Sequence, residues 1–219
     1  MDLEIPDELM QSFLEEEGYT PYIYQDTAKK KHATSGMGHK LTKEEKDFYK
    51  IADYKRVNIS KNATIKIYRQ VAVDKKGEPI IVDSKVISTW QKEDVKKAYR
   101  HAKLNADHLG IESQDFINRL AHVNFQVGPS WFDGKNKFPT AWQALKDRDW
   151  EKAKENLQYA DPNKSKAQKD TSDWYKTSST RVVKFQEAID RYSKLHDRQS
   201  MNPDNTLMDR ALAEWQVPR

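Results

Sequence analysis

Two carboxylates and a hydroxyl group near the start of the chain are the side chains best suited to chemistry. Glu17 precedes Gly18, Asp26 follows, and the stretch closes with Thr34-Ser35-Gly36-Met37-Gly38-His39. Hydrolysis of a glycosidic bond requires a carboxyl group that donates a proton and a second group that handles a water molecule or stabilises positive charge. Glu17, Asp26 and Thr34 could supply both, provided that the local structure brings them together.

Glu17 is predicted to end a short amphipathic helix. Leu9, Phe13 and Glu17 repeat at a spacing of four, so residues 8–17 should form a helix with Glu17 on its apolar stripe. Gly18 is suited to end that helix, because glycine accepts the left-handed conformation that is common there. A glutamate in this position is usually a solvated surface charge, so the helix alone does not indicate catalysis.

A small antiparallel sheet is predicted to carry the aspartate and the threonine. Tyr22-Ile23-Tyr24 has the composition of a strand that leads to Asp26, and Gly36 and Gly38 permit the bends of a second strand. Residues 20–40 should therefore form this sheet. An aspartate in a turn is ordinary by itself, and it is the order of the three residues that is unusual.

That order resembles a known enzyme family. The pattern E-G-x7-D followed by T-x-G-x-G-H-x-L-T, which runs from Glu17 to Thr42, resembles the phage-type lysozymes of glycoside hydrolase family 24. The resemblance extends from about residue 8 to 192 and is poor between about 54 and 87. Three later segments contribute to it: 125–128, 148–157 and 174–181.

The resemblance implies a catalytic role for each of four residues. Glu17 would be the general acid that protonates the leaving glycosidic oxygen. Asp26 would position or activate the attacking water, and the hydroxyl of Thr34 would hold that water. Arg181 would pair with Glu17. The family reaction inverts the anomeric centre, which requires carboxyl groups about 6.5–9.5 Å apart so that a water fits between them.

The resemblance also assigns supporting and substrate-binding residues. His39 could in principle be an acid or a base, but its place in the family is structural, paired with a carboxylate for which Asp94 is the candidate. The positions that match sugar contacts are Phe125, Gln126 and Asn156. Ala141 departs from the pattern, since a small hydroxyl residue is expected there.

The spacing between Asp26 and Thr34 departs from the pattern as well. Seven residues separate them, two more than the family spacing, and the additional residues fall within 28–32, a plausible turn. If they moved the strand register by one residue, Thr34 would face the wrong side of the sheet.

Composition argues against several other kinds of protein. The chain has no cysteine, no HExxH motif and no glycine-rich phosphate loop, and its other histidines lack metal-ligand spacing, so neither a metal nor a cofactor is expected. A net charge of +4 with 34 acidic residues argues against a general nucleic-acid binder. No apolar run approaches the roughly 20 residues needed to span a membrane, and the first residues lack a signal-peptide pattern.

The expected fold is α+β and predominantly helical. It is a two-lobed lysozyme-like fold with a small antiparallel sheet and an extra β-hairpin insertion. The expected divisions are a lysozyme domain over 1–192, a sheet-bearing lobe over about 18–87, a hairpin insertion over about 54–87, a connecting helix from about 88, a helical lobe over about 111–192, and a C-terminal extension over 193–219 with one further helix.

Local signals define some element boundaries. Thr42 and Glu45 form a capping-box pattern that should open a helix reaching about Ala52, and a similar pattern at 88–91 should begin the connecting helix. The insertion should turn at 74–77, where a glycine follows two lysines. It could simply enlarge the small sheet, or it could form a wall-binding or virion-docking surface.

The resemblance implies a muramidase that hydrolyses β-1,4 bonds between N-acetylmuramic acid and N-acetylglucosamine in peptidoglycan. Such an enzyme would act as a monomer, without nucleic acid or stable membrane insertion. It would remain in the host cytoplasm until a holin released it, or it would be carried with virion proteins. Two alternatives stay open: a lytic transglycosylase, which would use Glu17 but need no aspartate, and a non-catalytic virion or wall-binding protein of the same fold.

Overall fold

A computed structural model describes residues 3–26, 31–57, 70–128, 138–159 and 171–201 of the protein. The described part is α+β, mostly helical, with one antiparallel sheet. The helices are α1 Asp7–Glu17, α2 Lys43–Tyr49, α3 Ser84–Leu109, α4 Gln114–Val127, α5 Pro139–Lys146, α6 Trp150–Gln158 and α7 Asp173–Met201. The strands are β1 Thr20–Gln25, β2 Ala33–Gly36, β3 His39–Lys40, β4 Asp53–Arg56 and β5 Gln70–Val73.

The chain divides into two compact units, Met1–Arg100 and His101–Arg219, with the division inside α3. The first unit contains the sheet, and the second contains α4 to α7. No helix among the described residues combines the length and the apolar character needed to cross a membrane.

Helix α1 confirms the predicted element almost to the residue. Leu9 and Phe13 are fully buried on its inner face, as the spacing predicts. Asp7 and Glu8 lie in the first turn, where a negative charge interacts favourably with the helix dipole. Gly18 ends the helix at φ 70° and ψ −179°, so it uses the positive φ open to glycine but has an extended ψ rather than the predicted left-handed one.

The predicted sheet over residues 20–40 is present and larger than expected. Its strand order is β3-β2-β1-β5-β4 among the described residues. β4 and β5 pair with each other, and β5 pairs with β1, so this part of the insertion enlarges the small sheet. The predicted turn is also present, with Gly77 at φ 84° and the N–H of Asp74 donating to Glu78. Residues 58–69 of the predicted hairpin lie outside the described residues.

Two predicted helix boundaries are wrong. α2 opens at the predicted capping box, with both reciprocal bonds between Thr42 and Glu45, but it ends at Tyr49 because Lys50 adopts the left-handed conformation. α3 begins at Ser84 rather than near Ser88. The carboxylate of Asp83 accepts the N–H of Lys85 at 2.7 Å and so caps the first turn.

The core of the first unit lies between the sheet and the first half of α3. Burial of one such apolar side chain stabilises the fold by about 1.5–3 kcal/mol. A Cβ at Gly36 would lie 2.9 Å from Cγ2 of Ile87, so β2 approaches α3 as closely as glycine allows. The buried residues of this cluster are Ile23, Ala33, Leu41, Ala72, Val82, Ile87 and Trp90.

The second unit is a helical bundle. α4 packs on α7, where Phe116 meets Phe185 with ring centroids 5.4 Å apart, and α6 packs on both α5 and α7. α7 has a kink at Ser178 and continues past the expected boundary at residue 192 to Met201. Residues 202–219 of the expected C-terminal extension lie outside the described residues.

Candidate active site

Glu17 is the last residue of α1, three residues before β1 begins. Its side chain is partly buried, and the carboxylate oxygen Oε1 is shielded from solvent. The apolar stripe that runs through Leu9 and Phe13 accounts for this position, because the same helical face carries all three residues into the interior. The predicted acid is therefore neither a fully solvated charge nor a core residue.

Asp26 is held at the end of β1 by the backbone of the neighbouring strand. Its N–H donates to the carbonyl of His32 at 3.0 Å, and its Oδ1 accepts the N–H of His32 at 2.9 Å. This reciprocal pair closes the β1–β2 hairpin at a defined position. The two strands therefore keep a regular pairing up to Asp26 and His32, and residues 27–30 of the turn lie outside the described residues.

The register of the hairpin places Thr34 on the same face of the sheet as Asp26. Tyr24 lies opposite Thr34, and Gln25 lies opposite Ala33. Because side chains alternate along a strand, Tyr24 and Asp26 share a face, and Thr34 across from Tyr24 shares it too. The one-residue slip that would have turned Thr34 away is not present.

The hydroxyl of Thr34 is buried, and the side chain is only 3% exposed. Its Oγ1 donates to the carbonyl of His32 at 3.2 Å. A hydroxyl group has one donor and two acceptor positions. Toward a neighbouring molecule, Thr34 can therefore act only as a hydrogen-bond acceptor, because its hydroxyl proton is donated to His32.

β1 is irregular between the two carboxylates. Its register with β2 shifts between Thr20, which faces Gly36, and Tyr24, which faces Thr34. Pro21 falls within this irregularity, and its carbonyl accepts the N–H of Val82 at 2.9 Å on the other edge of the strand. Bulges of this kind are common beside active sites, because they bend a strand and redirect its side chains.

His39 lies between two carboxylates in the first unit. Its Nδ1 is 2.8 Å from Asp94 Oδ2, so the predicted contact is confirmed, and its Nε2 is 3.2 Å from Glu45 Oε2. The ring stacks on Trp90 with centroids 4.3 Å apart. The sequence marks Glu45 only as a capping residue of α2, so its second bond was not predicted.

The charges around His39 shift its pKa upward. Burial lowers the pKa of His39, but the hydrogen bonds and charges of Asp94 and Glu45 raise it by more, so the net pKa lies above 6.5. Burial raises the pKa of Glu45, but its bond to the Thr42 backbone and its contact with His39 lower that pKa by more. The net pKa of Glu45 therefore lies below 4.5. Both shifts favour the ionised forms of His39 and Glu45.

Gln126 and Phe125 lie in the last turn of α4, in the second unit, and both are partly buried. Oε1 of Gln126 accepts the indole N–H of Trp174 at 3.0 Å, and Trp174 packs against Phe138. The amide of Gln126 is thus oriented with its NH2 group available for an acceptor. The sequence places Trp174 in a segment that resembles the family but does not indicate this bond, which joins residues 48 positions apart.

The remaining predicted residues are placed but not brought together in a described site. Asn156 is only 6% exposed, and its Nδ2 donates to the carbonyl of Lys152 within α6, an arrangement that serves the helix. Ala141 is fully buried in α5. Arg181 is partly buried on α7, and its pairing with Glu17 stays a prediction.

The described residues contain no group of three or more His, Cys, Asp or Glu side chains placed to hold a metal ion. No protein-family model matches the chain, and no curated protein matches its sequence. The motif and the geometry of the hairpin are therefore the features that point to a function.

Proposed function

We propose that this protein is a peptidoglycan hydrolase with a lysozyme-type fold, a muramidase that cleaves the β-1,4 bond between N-acetylmuramic acid and N-acetylglucosamine. The observation that carries this proposal is the position of Thr34 on the Asp26 face of the β1–β2 hairpin. The two residues that would handle water share one rigid element, although the sequence between them is longer than the family pattern.

The attacking water needs two hydrogen-bond acceptors and a free lone pair. The carboxylate of Asp26 accepts one proton of this water, and Thr34 Oγ1, whose own proton goes to His32, accepts the other. The oxygen lone pair then points away from both groups toward the anomeric carbon. The fixed carboxylate also avoids the entropic cost of orienting the water during the reaction.

Glu17 completes the reaction as the general acid. Water adds to the anomeric carbon as the bond from that carbon to the bridging oxygen breaks, Glu17 gives its proton to the departing oxygen, and Asp26 takes a proton from the water. Attack from the face opposite the leaving group inverts the anomeric centre.

Phe125 and Gln126 keep the sugar-binding role that the family pattern gives them. The NH2 group of Gln126, oriented by Trp174, suits the carbonyl oxygen of an acetamido group, and Phe125 offers an apolar surface beside it. Arg181 keeps the role that the family pattern gives it, whereas Asn156 is buried and its amide serves helix α6. The enzyme would act as a monomer without a cofactor and would reach the wall through a holin or as part of a virion.

The test is the loss of turbidity of purified peptidoglycan, with mass spectrometry of the released fragments. Glu17→Gln and Asp26→Asn should both abolish lysis, while Asp53→Asn, on the exposed strand β4, should leave it unchanged. Wild-type products should carry ordinary reducing ends. Activity that survives in both variants would refute the proposal.

The two alternative functions give different results in the same assay. A lytic transglycosylase would leave anhydro-muramic ends and would tolerate Asp26→Asn. A non-catalytic wall-binding protein would sediment with the walls but release no fragments. The fixed Asp26 and the oriented Thr34 favour hydrolysis over both, because neither alternative has a use for a positioned water.

A further inference from the structure

A buried pair of asparagine side chains connects the C-terminal half of α3 to α4 in the second unit. Asn105 is 0% exposed and Asn124 is 4% exposed. Nδ2 of Asn105 donates to Oδ1 of Asn124 at 3.3 Å. The proposed mechanism makes no use of either residue, and the family pattern assigns neither a role.

Only two of the four polar amide atoms in this pair have a hydrogen-bond partner among the described residues. The other two amide atoms, Asn105 Oδ1 and Asn124 Nδ2, are buried and have no hydrogen-bond partner among the described residues. A buried polar group without a partner lowers stability, and two apolar side chains of similar size would avoid that cost. Locally unfavourable choices of this kind are expected where a residue serves function rather than stability.

The position of Asn124 indicates which function that is. It directly precedes Phe125 and Gln126, the residues proposed to contact sugar, in the last turn of α4. Its backbone carbonyl accepts the N–H of Gly128 at 3.0 Å, so the same residue also closes the helix end. In the same turn, the side-chain oxygen Oε1 of Gln126 accepts the indole N–H of Trp174.

A hydrogen bond fixes this turn in a way that apolar packing does not. Hydrogen-bond strength falls steeply when the angle or distance changes, whereas apolar contact is nondirectional. A leucine pair between α3 and α4 would therefore tolerate a small rotation of the last turn of α4. The amide pair resists that rotation, and it would keep Phe125 and Gln126 aimed in one direction.

We infer that Asn105 and Asn124 are positioning residues that set the orientation of Phe125 and Gln126 for the sugar. This inference rests on the proposed function, because it takes those two residues to be the sugar contacts. It adds a pair of residues, remote in sequence from the catalytic motif, on which substrate affinity depends.

A double-mutant cycle tests the inference. Asn105→Leu and Asn124→Leu alone should each lower the urea midpoint, because each leaves the remaining amide unpaired. The double variant removes all four amide groups, together with any water that they hold, and should regain at least the wild-type midpoint. Its KM for a soluble peptidoglycan fragment should nevertheless rise about 10-fold with kcat nearly unchanged, which is the signature of lost substrate binding.

The matched control is another amide pair on the same helix. Gln114 Nε2 donates to Asn118 Oδ1 at 2.7 Å on the exposed surface of α4. The Gln114→Ala/Asn118→Ala variant should keep the wild-type KM. A stable Asn105→Leu/Asn124→Leu variant with the wild-type KM would overturn the inference. If that variant does not fold, Asn105→Ala at a temperature where it is folded must raise KM instead, and an unchanged KM would be equally decisive.

A second measurement separates this inference from the proposed function. The indole N–H of Trp174 reports on Gln126 directly, so its NMR signal should move in the double leucine variant and stay in place in the control. That measurement needs no enzymatic activity. A wild type that releases no fragments would refute the muramidase, while a Trp174 signal that does not move would refute the positioning role.

Discussion

At the scale of single residues, the proposed hydrolysis depends on which atom accepts the hydroxyl proton of Thr34. Thr34 gives its proton to the carbonyl of His32, so it can act on a water only as an acceptor. Asp26 is fixed by the same residue, through the N–H of His32. The backbone of His32 thus orients both side chains that would bind the water, Asp26 and Thr34. Because His32 follows the turn, a longer turn need not disturb either contact.

Replacing Thr34 with valine should therefore separate catalysis from folding. Thr34→Val keeps the shape of the side chain but cannot hold the water, and misplacement of a reacting group costs about 10²-fold in rate. The loss of the bond to His32 should lower the free energy of unfolding by only about 1 kcal/mol. Thr34→Ser should retain most of the activity. Initial rates on a soluble peptidoglycan fragment and urea melts measure the two effects, and comparable rates for valine and serine would contradict the prediction.

Gly36 offers a second prediction at this scale, on stability. It has φ 62°, and a Cβ there would press on Ile87 at 2.9 Å, so Gly36→Ala should cost about 2–4 kcal/mol through backbone strain and overpacking together. Gly128 is the control. It has φ 91° but no neighbouring atom within 4 Å of the added Cβ, so Gly128→Ala should cost only the backbone strain, about 1–3 kcal/mol, without the overpacking. Equal urea midpoints for the two variants would show that the close approach to α3 is unimportant.

At the scale of elements, the observed start of α3 can be tested against the start that the sequence predicts. Asp83 caps α3, whereas Ser88 lies exposed inside the same helix. Asp83→Ala should lower the free energy of unfolding by about 1 kcal/mol. Ser88→Ala should change it by less than about 0.5 kcal/mol, and in the stabilising direction, because alanine has the higher helix propensity. Thermal melts of the two variants distinguish this start from the one that the sequence predicts.

The His39 triad joins β3, α2 and α3, and it makes stability depend on pH. The contribution of His39 is fully present below 6.5 and is lost as the pH rises through its raised folded pKa. The contribution of Glu45 is present above 4.5 and is lost as the pH falls through its lowered folded pKa. Both contributions are complete between those two values.

His39→Gln should therefore destabilise the protein most between pH 4.5 and 6.5 and progressively less in alkaline solution. Urea unfolding of wild type and variant across this range measures the difference. His108→Gln, an exposed position on α3, serves as the control and should show no such profile. A destabilisation by His39→Gln that is constant with pH would mean that packing on Trp90, not charge, accounts for it.

How well the sequence predicts each element depends on how local its signals are. α1, the hairpin over residues 20–40 and the cap of α2 were predicted because their periodicity, glycines and capping residues lie within a few positions of one another. The start of α3 was missed because the pattern at 88–91 also fits the interior of a helix. The pairing of β4 was not visible, since Asp53-Tyr54-Lys55-Arg56 is mostly exposed and has no apolar face of its own.

At the scale of the whole molecule, the surface carries an excess of positive charge. The net charge is +4 and the isoelectric point is about 8.9. If the substrate is the anionic wall polymer, attraction should speed the encounter, and salt should screen it within about 10 Å at 0.1 M. Raising the salt should therefore slow lysis of whole walls several-fold while leaving hydrolysis of a short neutral chito-oligosaccharide nearly unchanged. An equal response of the two substrates would contradict this prediction.

In the candidate site too, contacts between residues close in sequence are easier to predict than contacts between residues far apart. Local motif spacing predicts Glu17, Asp26 and Thr34 as a group, whereas the family resemblance predicts the His39–Asp94 contact, which the structure confirms. The Asn105–Asn124 and Gln126–Trp174 bonds were not predicted, because each joins residues far apart in sequence whose types are common. Contacts of that kind depend on the packing of whole helices, and no short pattern records them.

The strand order also affects how the protein folds while it is being synthesised. β1 lies in the middle of the sheet, and its partner β2 follows closely, but Tyr24 pairs with Val71 only after 47 more residues have been synthesised. Until then, a nascent chain on the ribosome presents one unpaired edge of β1 beside the apolar side chain of Ile23, and exposed edges of this kind promote aggregation. Premature termination before β5 should therefore yield an insoluble fragment, and a chaperone that shields β1 during translation should raise the yield of active protein.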